Sequence, residues 1–183
     1  MGQYCIQLIN PNTCQSMTEN MASAARSVAA PDTRILAVSP DSGVNSIEGH
    51  FDEAIAAVGV LQQVNAGLRQ RVDGHIIACF GDPGLLAARE LASGPVIGIA
   101  EAAMHLATMV ATRFTIVTTL PRTVVIARHL LQQYRFSGPF AAIRTIPLPV
   151  LALEPDSPLP GGHIRLQCIQ GMKYETSVAI VTC

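Results

Sequence analysis

Two of the five cysteines in this 183-residue chain stand where a thiol could carry a proton. Cys79 falls near the end of the apolar run HIIACF (75–80) and is followed by Gly81-Asp82-Pro83-Gly84, while Cys183 ends the apolar run VAIVTC (178–183). Asp82 is a good N-cap and Pro83 a good first helical residue, so the sequence predicts a helix running through LLAARELA. That would set Cys79 near the positive end of a helix, beside the N–H groups of Phe80 and Gly81. Such a setting favours a thiolate and can hold a carbonyl oxygen. A strand cysteine is also commonly a small buried hydrophobe, and that reading stands beside the functional one. Two thiols facing each other would suit a reaction in which a base takes a proton from one face of a carbon acid and an acid returns one to the other. The roles exchange for the opposite enantiomer. Thiols ionise at about pH 8.5, and a modest downward shift brings that to neutrality. No cofactor is required where a carbonyl already flanks the C–H bond.

The elements that must position these cysteines show in the hydropathy pattern. Apolar runs at 5–9, 34–39, 75–80, 95–99, 114–119 and 178–183 alternate with helix-length stretches. Their lack of polar alternation is that of parallel strands covered on both faces, so the expected fold class is α/β. Thr13 precedes an alanine-rich helical segment at 14–29, and Phe51, Ile55, Val58 and Leu61 mark a helix within 48–71. Residues 147–162, rich in proline and glycine, read as a loop. A weak internal repeat divides the chain: Asn10-Pro11-Asn12-Thr13 and Leu120-Pro121-Arg122-Thr123 each lead from a strand into a helix, and downstream of each a strand ends in cysteine. Two similar lobes are implied, 1–94 and 95–183. If they face one another, Cys79 and Cys183 occupy equivalent strand ends, where open α/β sheets bind ligands.

Composition narrows the function classes. With 49% hydrophobic residues and a mean hydropathy of +0.35, the chain can bury one substantial core or two small ones. No apolar run reaches the roughly 20 residues of a membrane span. The N-terminal MGQYCIQLINPNT lacks the layout of a signal peptide, so a cytoplasmic location is expected. A net charge of −1 with no basic run argues against nucleic acid as a partner. Cys5, Cys14, Cys79, Cys168 and Cys183 form an odd set without a CxxC pair, against both a disulfide framework and a structural zinc site. His75 and Cys79, on one face of a strand, would stand roughly 13 Å apart, so no metal is expected. Glu101 and His105 lie one helical turn apart and could pair as acid and base. The ordinary alternative is an acidic residue complementing a helix dipole.

INPNT (9–13), SIEGHFDEA (46–54), HIIACFGDPGLLAARELA (75–92), PVIGIAEAAMHLA (95–107) and FTIVTTLPRT (114–123) together resemble the aspartate/glutamate racemase superfamily, in particular its hydantoin and allantoin racemase branch. The likeness runs in order as far as Glu154. It implies two pseudo-symmetric Rossmann-like lobes with parallel sheets and an active site in the cleft between them. It also implies a cofactor-independent, homo-oligomeric isomerase acting on allantoin or a related 5-substituted hydantoin, a small-molecule ureide. Cys79 matches the first catalytic cysteine and Cys183 the second. Substrate contacts are implied from Asn10, from Ser46 and Ile47, from the backbone at Phe80 and Gly81, and from Thr118 and Thr119. The Asn10 amide suits an imide or ureido group, and threonine hydroxyls suit ring carbonyls. Alternatives are a decarboxylase of the same superfamily, using one cysteine as proton donor, and a shortened, non-catalytic ureide-binding paralogue. After Glu154 the pattern departs: Thr182 stands where relatives usually carry glycine, and relatives continue past the second cysteine. The first lobe is therefore expected to lack its C-terminal part. A terminal carboxylate would then raise the Cys183 thiol pKa.

Overall fold

The computed structural model describes residues 4–152 and 166–172, and the backbone of 179–182. The chain divides into two compact units, Met1–Ile47 with Phe51–Ile99, and Glu48–His50 with Ala100–Cys183. In the first, strands β1 (Tyr4–Ile9), β2 (Thr33–Val38), β3 (Gly74–Ile77) and β4 (Val96–Gly98) form a parallel sheet in the order β2-β1-β3-β4. The two inner strands are the more deeply buried, with Leu8, Ile9 and Ile77 in the core. Strand β4, assigned to the second lobe from sequence, belongs to the first because His75–Ile77 pair with Val96–Gly98. The boundary therefore falls after Ile99 rather than at 94/95.

Helix α1 (Gln15–Val28) begins one residue later than Thr13 suggested, and its N-cap is Cys14, which makes no side-chain cap bond. Instead Asn12 Oδ1 accepts the Cys14 N–H at 2.9 Å, an Asx turn that steers the chain into the helix. Helix α2 (His50–Arg69) carries Asp52 and Glu53 in its first turn, favourable to its dipole, and Arg71 beyond its end takes a left-handed conformation (φ 54°). Helix α3 is the short Leu85–Leu91.

Between α2 and the sheet lies a buried polar pair. His75 Nδ1 donates to Gln7 Oε1 at 2.7 Å, and Gln7 Nε2 donates to the Gln63 carbonyl at 3.1 Å. The pair fits because α2 has a glycine above it: a methyl group at Gly67 would collide with both side chains. Burial lowers the His75 pKa, so the folded protein holds a neutral ring. The unfolded chain takes up this proton first. The contribution of His75 to stability is therefore full above about pH 6.5 and drains away as the pH falls towards the lower folded-state value. Urea midpoints are expected to be lower at pH 5 than at pH 7; equal midpoints would contradict a neutral His75.

In the second unit, strands β5 (Phe114–Thr118), β6 (Phe140–Thr145) and β7 (Ala179–Thr182) form a parallel sheet in the order β6-β5-β7. Every residue of β5 is buried, as its central place requires. Helix α4 (Ile99–Val110) leads into β5 and α5 (Thr123–Gln133) follows it, starting where Leu120-Pro121-Arg122-Thr123 predicted. Strand β6 was not anticipated. Its FAAIRT sequence interrupts the apolar run with small residues and an arginine, and Arg144 Nη1 donates to Gln167 and Gln170 of the helical segment 166–172. Phe136 packs edge-on against Phe114 and His105. A 3₁₀ turn, Val150–Ala152, opens the loop expected at 147–162, whose remainder lies outside the described residues. Among the described residues, no helix is long and apolar enough to cross a membrane.

Candidate active site

Strand β3 stops at Ile77, and the Ala78 N–H still donates to the Ile9 carbonyl at 2.8 Å. Asn10 in turn donates its N–H to Val38 at 2.9 Å. Asn10 and Cys79 therefore lie just beyond the C-terminal ends of the neighbouring strands β1 and β3. The chain does not pass from Cys79 into a helix as Asp82-Pro83 suggested. It makes a tight turn closed by the Asp82 N–H on the Cys79 carbonyl (3.0 Å), with Asp82 itself left-handed at φ 45°. Aspartate tolerates that conformation better than most residues. Gly84, at φ 73°, is the N-cap of α3. Asp82 is thus a turn residue, and its side chain is turned inward.

This geometry reverses the expected charge state of Cys79. The Gly81 N–H donates to Cys79 Sγ at 3.5 Å and favours a thiolate. Burial outweighs it, and the carboxylates of Asp82 and Glu53 act in the same direction as burial, so the thiol is pushed up to about 12. The two carboxylates are seated by glycines. A methyl group at Gly81 would collide with the Glu53 carboxylate, and one at Gly98 with that of Asp82. Cys79 rests as a neutral thiol, the form of a proton donor.

Asn10 is almost fully buried, and its amide is already engaged. Its Nδ2 faces Asn12 Oδ1 (2.8 Å), Thr18 Oγ1 (2.9 Å) and the Cys14 carbonyl (3.2 Å), and its Oδ1 accepts the Asn12 N–H (3.2 Å). The network shapes the loop between β1 and α1. The Thr13 N–H donates to the Val44 carbonyl at 3.0 Å, tying that loop to the one carrying Ser46 and Ile47, both half-buried. The first unit thus gathers Asn10, Cys79, Phe80 and Gly81 at adjacent strand ends, with the Ser46-Ile47 loop fastened to the Asn10 loop.

In the second unit, Thr118 ends β5 and Thr119 follows, both buried. Thr123 Oγ1 donates to the Leu120 carbonyl at 2.7 Å, so in the 2.7 Å contact with Thr118 it is Thr118 Oγ1 that donates. Thr182 of β7 pairs with Val117; Cys183, the next residue in sequence, lies outside the described residues. Glu48 pairs with Arg122 and accepts the Val150 N–H at 3.2 Å, and His50 stacks on His129 with centroids 5.3 Å apart. Glu101 and His105 share α4, where the His105 ring packs against Phe136. Among the described residues, no three His, Cys, Asp or Glu side chains are grouped to hold a metal ion.

Sequence reasoning missed Glu53 beside Cys79. The available signal was Gly81, whose missing side chain makes room for a group arriving from elsewhere in the chain.

Residues 6–181 match the Asp/Glu/Hydantoin racemase family. The chain is 46% identical to the hydantoin racemase of a Pseudomonas strain over 151 residues, 82% of this chain and 61% of that protein, so it spans less than two thirds of that relative. Among solved structures, the allantoin racemase of Klebsiella pneumoniae is 68% identical, with a TM-score of 0.96 over 98% of this chain and 73% of its own. The allantoin racemase of Pseudomonas fluorescens is 32% identical, with a TM-score of 0.90 over 97% of this chain and 75% of its own.

Proposed function

The chain belongs to the Asp/Glu/hydantoin racemase family, and from that premise we propose that it racemises allantoin, or a closely related 5-substituted hydantoin, by proton transfer without a cofactor. The 68% identity to an allantoin racemase over nearly the whole chain is the observation that carries the substrate assignment.

In the proposed reaction, a base on one face removes the proton from the ring carbon next to a carbonyl. The C–H electron pair passes into that carbonyl as an enolate. A thiol on the opposite face then gives its proton to the carbon, forming the inverted C–H bond and leaving a thiolate. Cys79, resting as a thiol, is the donor in the first of these half-cycles, and Cys183 is the partner base. For the opposite enantiomer the two exchange roles. The Phe80 N–H and the Thr118 and Thr119 hydroxyls are the groups proposed to hold the developing enolate oxygen and the ring carbonyls. Asn10, Ser46 and Ile47 shape the substrate side of the first unit.

The substrate assignment is tested by following the optical rotation of single enantiomers of allantoin, 5-methylhydantoin and 5-benzylhydantoin, each with and without the protein. The expected result is that allantoin loses rotation fastest relative to its own protein-free control. Acceleration confined to the alkyl- and arylhydantoins would overturn the preference for allantoin.

A further inference from the structure

We propose that Glu53 is a positioning residue for Cys79: its carboxylate, laid against Gly81 from the first turn of α2, adds a negative charge beside the buried sulfur and so reinforces its proton-donor form. The proposal rests on the reading of Cys79 as a proton-transfer group.

One residue touches both partners. Gly81 presents its N–H to Cys79 Sγ at 3.5 Å, and a side chain at its Cα would strike the Glu53 carboxylate. The missing side chain at Gly81 thus leaves room for the carboxylate on the residue whose N–H binds the thiol. Two charged groups face the sulfur, Glu53 from α2 and Asp82 from the turn itself, and both are negative. Asp82 is fixed in turn by its left-handed backbone and by packing against Gly98. Burial disfavours a thiolate most strongly and the two negative neighbours add to it, so S–H is the resting form. They act again after the proton has been delivered. When the S–H bond breaks and the new C–H bond forms, the thiolate left behind stands beside two carboxylates. It is then a stronger base for the reverse half-cycle than a free cysteine would be.

The experiment is alkylation of the folded protein by iodoacetamide over pH 7 to 9.5, with the rate at each cysteine read by peptide mass spectrometry. The wild type is compared with Glu53→Gln and Glu53→Asp. Removing the charge is expected to raise the Cys79 rate at a given pH by about two- to threefold, a fraction of a pKa unit on the thiolate fraction, because burial and Asp82 still act on the sulfur. Glu53→Asp is expected to stay near the wild-type profile. Cys5, buried in β1, reports on any loosening of the fold. A rise confined to Cys79 supports the proposal. An unchanged Cys79 profile in Glu53→Gln, or a rise shared equally by Cys5, would overturn it. No turnover is involved, so the outcome is separate from that of the racemisation assay. Racemisation with an unchanged alkylation profile sinks Glu53 alone, and the expected shift without racemisation sinks only the functional reading.

Discussion

Cys79→Ser is expected to slow proton exchange at the substrate's ring carbon by about 10²–10⁴-fold, the span of a positioned general acid or base, while leaving the fold almost unchanged. The two side chains are nearly isosteric. The hydrogen bond that the sulfur accepts from the Gly81 N–H can be accepted equally well by a hydroxyl. What serine cannot supply is the proton: an aliphatic hydroxyl is far less acidic than a thiol, even one pushed up to about 12. The check is exchange rate alongside thermal melting. A slow variant with an unchanged melting temperature is the expected result. Exchange within a few-fold of wild type would remove Cys79 from the mechanism.

Asn10→Ala is expected to cost about 2–3 kcal/mol of unfolding free energy, the order of leaving buried polar groups without partners. The amide donates towards Asn12, Thr18 and the half-buried Cys14 carbonyl and accepts the Asn12 N–H, and Asn10, Asn12 and Thr18 are all buried. Alanine removes all of this at once, at the point where β1 hands the chain to α1. Urea unfolding measures the loss. A loss below about 0.5 kcal/mol, well under the cost of one orphaned buried donor, together with a raised KM, would instead return Asn10 to direct substrate contact.

Much of the architecture was legible because it depends on local pattern. The Ile- and Val-rich runs at 5–9, 34–39 and 114–119 read as parallel strands of an α/β fold, and they are strands, although β2 at the sheet edge is only partly buried. Strand β6 was not legible: Phe140–Thr145 earns its place through Arg144 and its pairing with β5, both long-range. The lobe boundary was misplaced for the same reason, since PVIGI gives no sign that it pairs with β3. At the site, the strand end carrying Cys79 was readable from one short run. The state of its thiol was not. Asp82-Pro83 has the local chemistry of a helix start, and only the left-handed turn reveals that Asp82 faces inward. Glu53 lies 28 residues before Gly81, and nothing in the intervening sequence announces their contact.

The central claim is two-face proton transfer at a carbon acid, and deuterium uptake tests it most directly. A single enantiomer of allantoin is incubated with the protein in D2O, and ring-carbon deuterium and optical rotation are followed together against a protein-free control. The account predicts that rotation is lost and deuterium is gained in step, both faster than the control. Deuterium uptake and rotation loss at the control rate would contradict it.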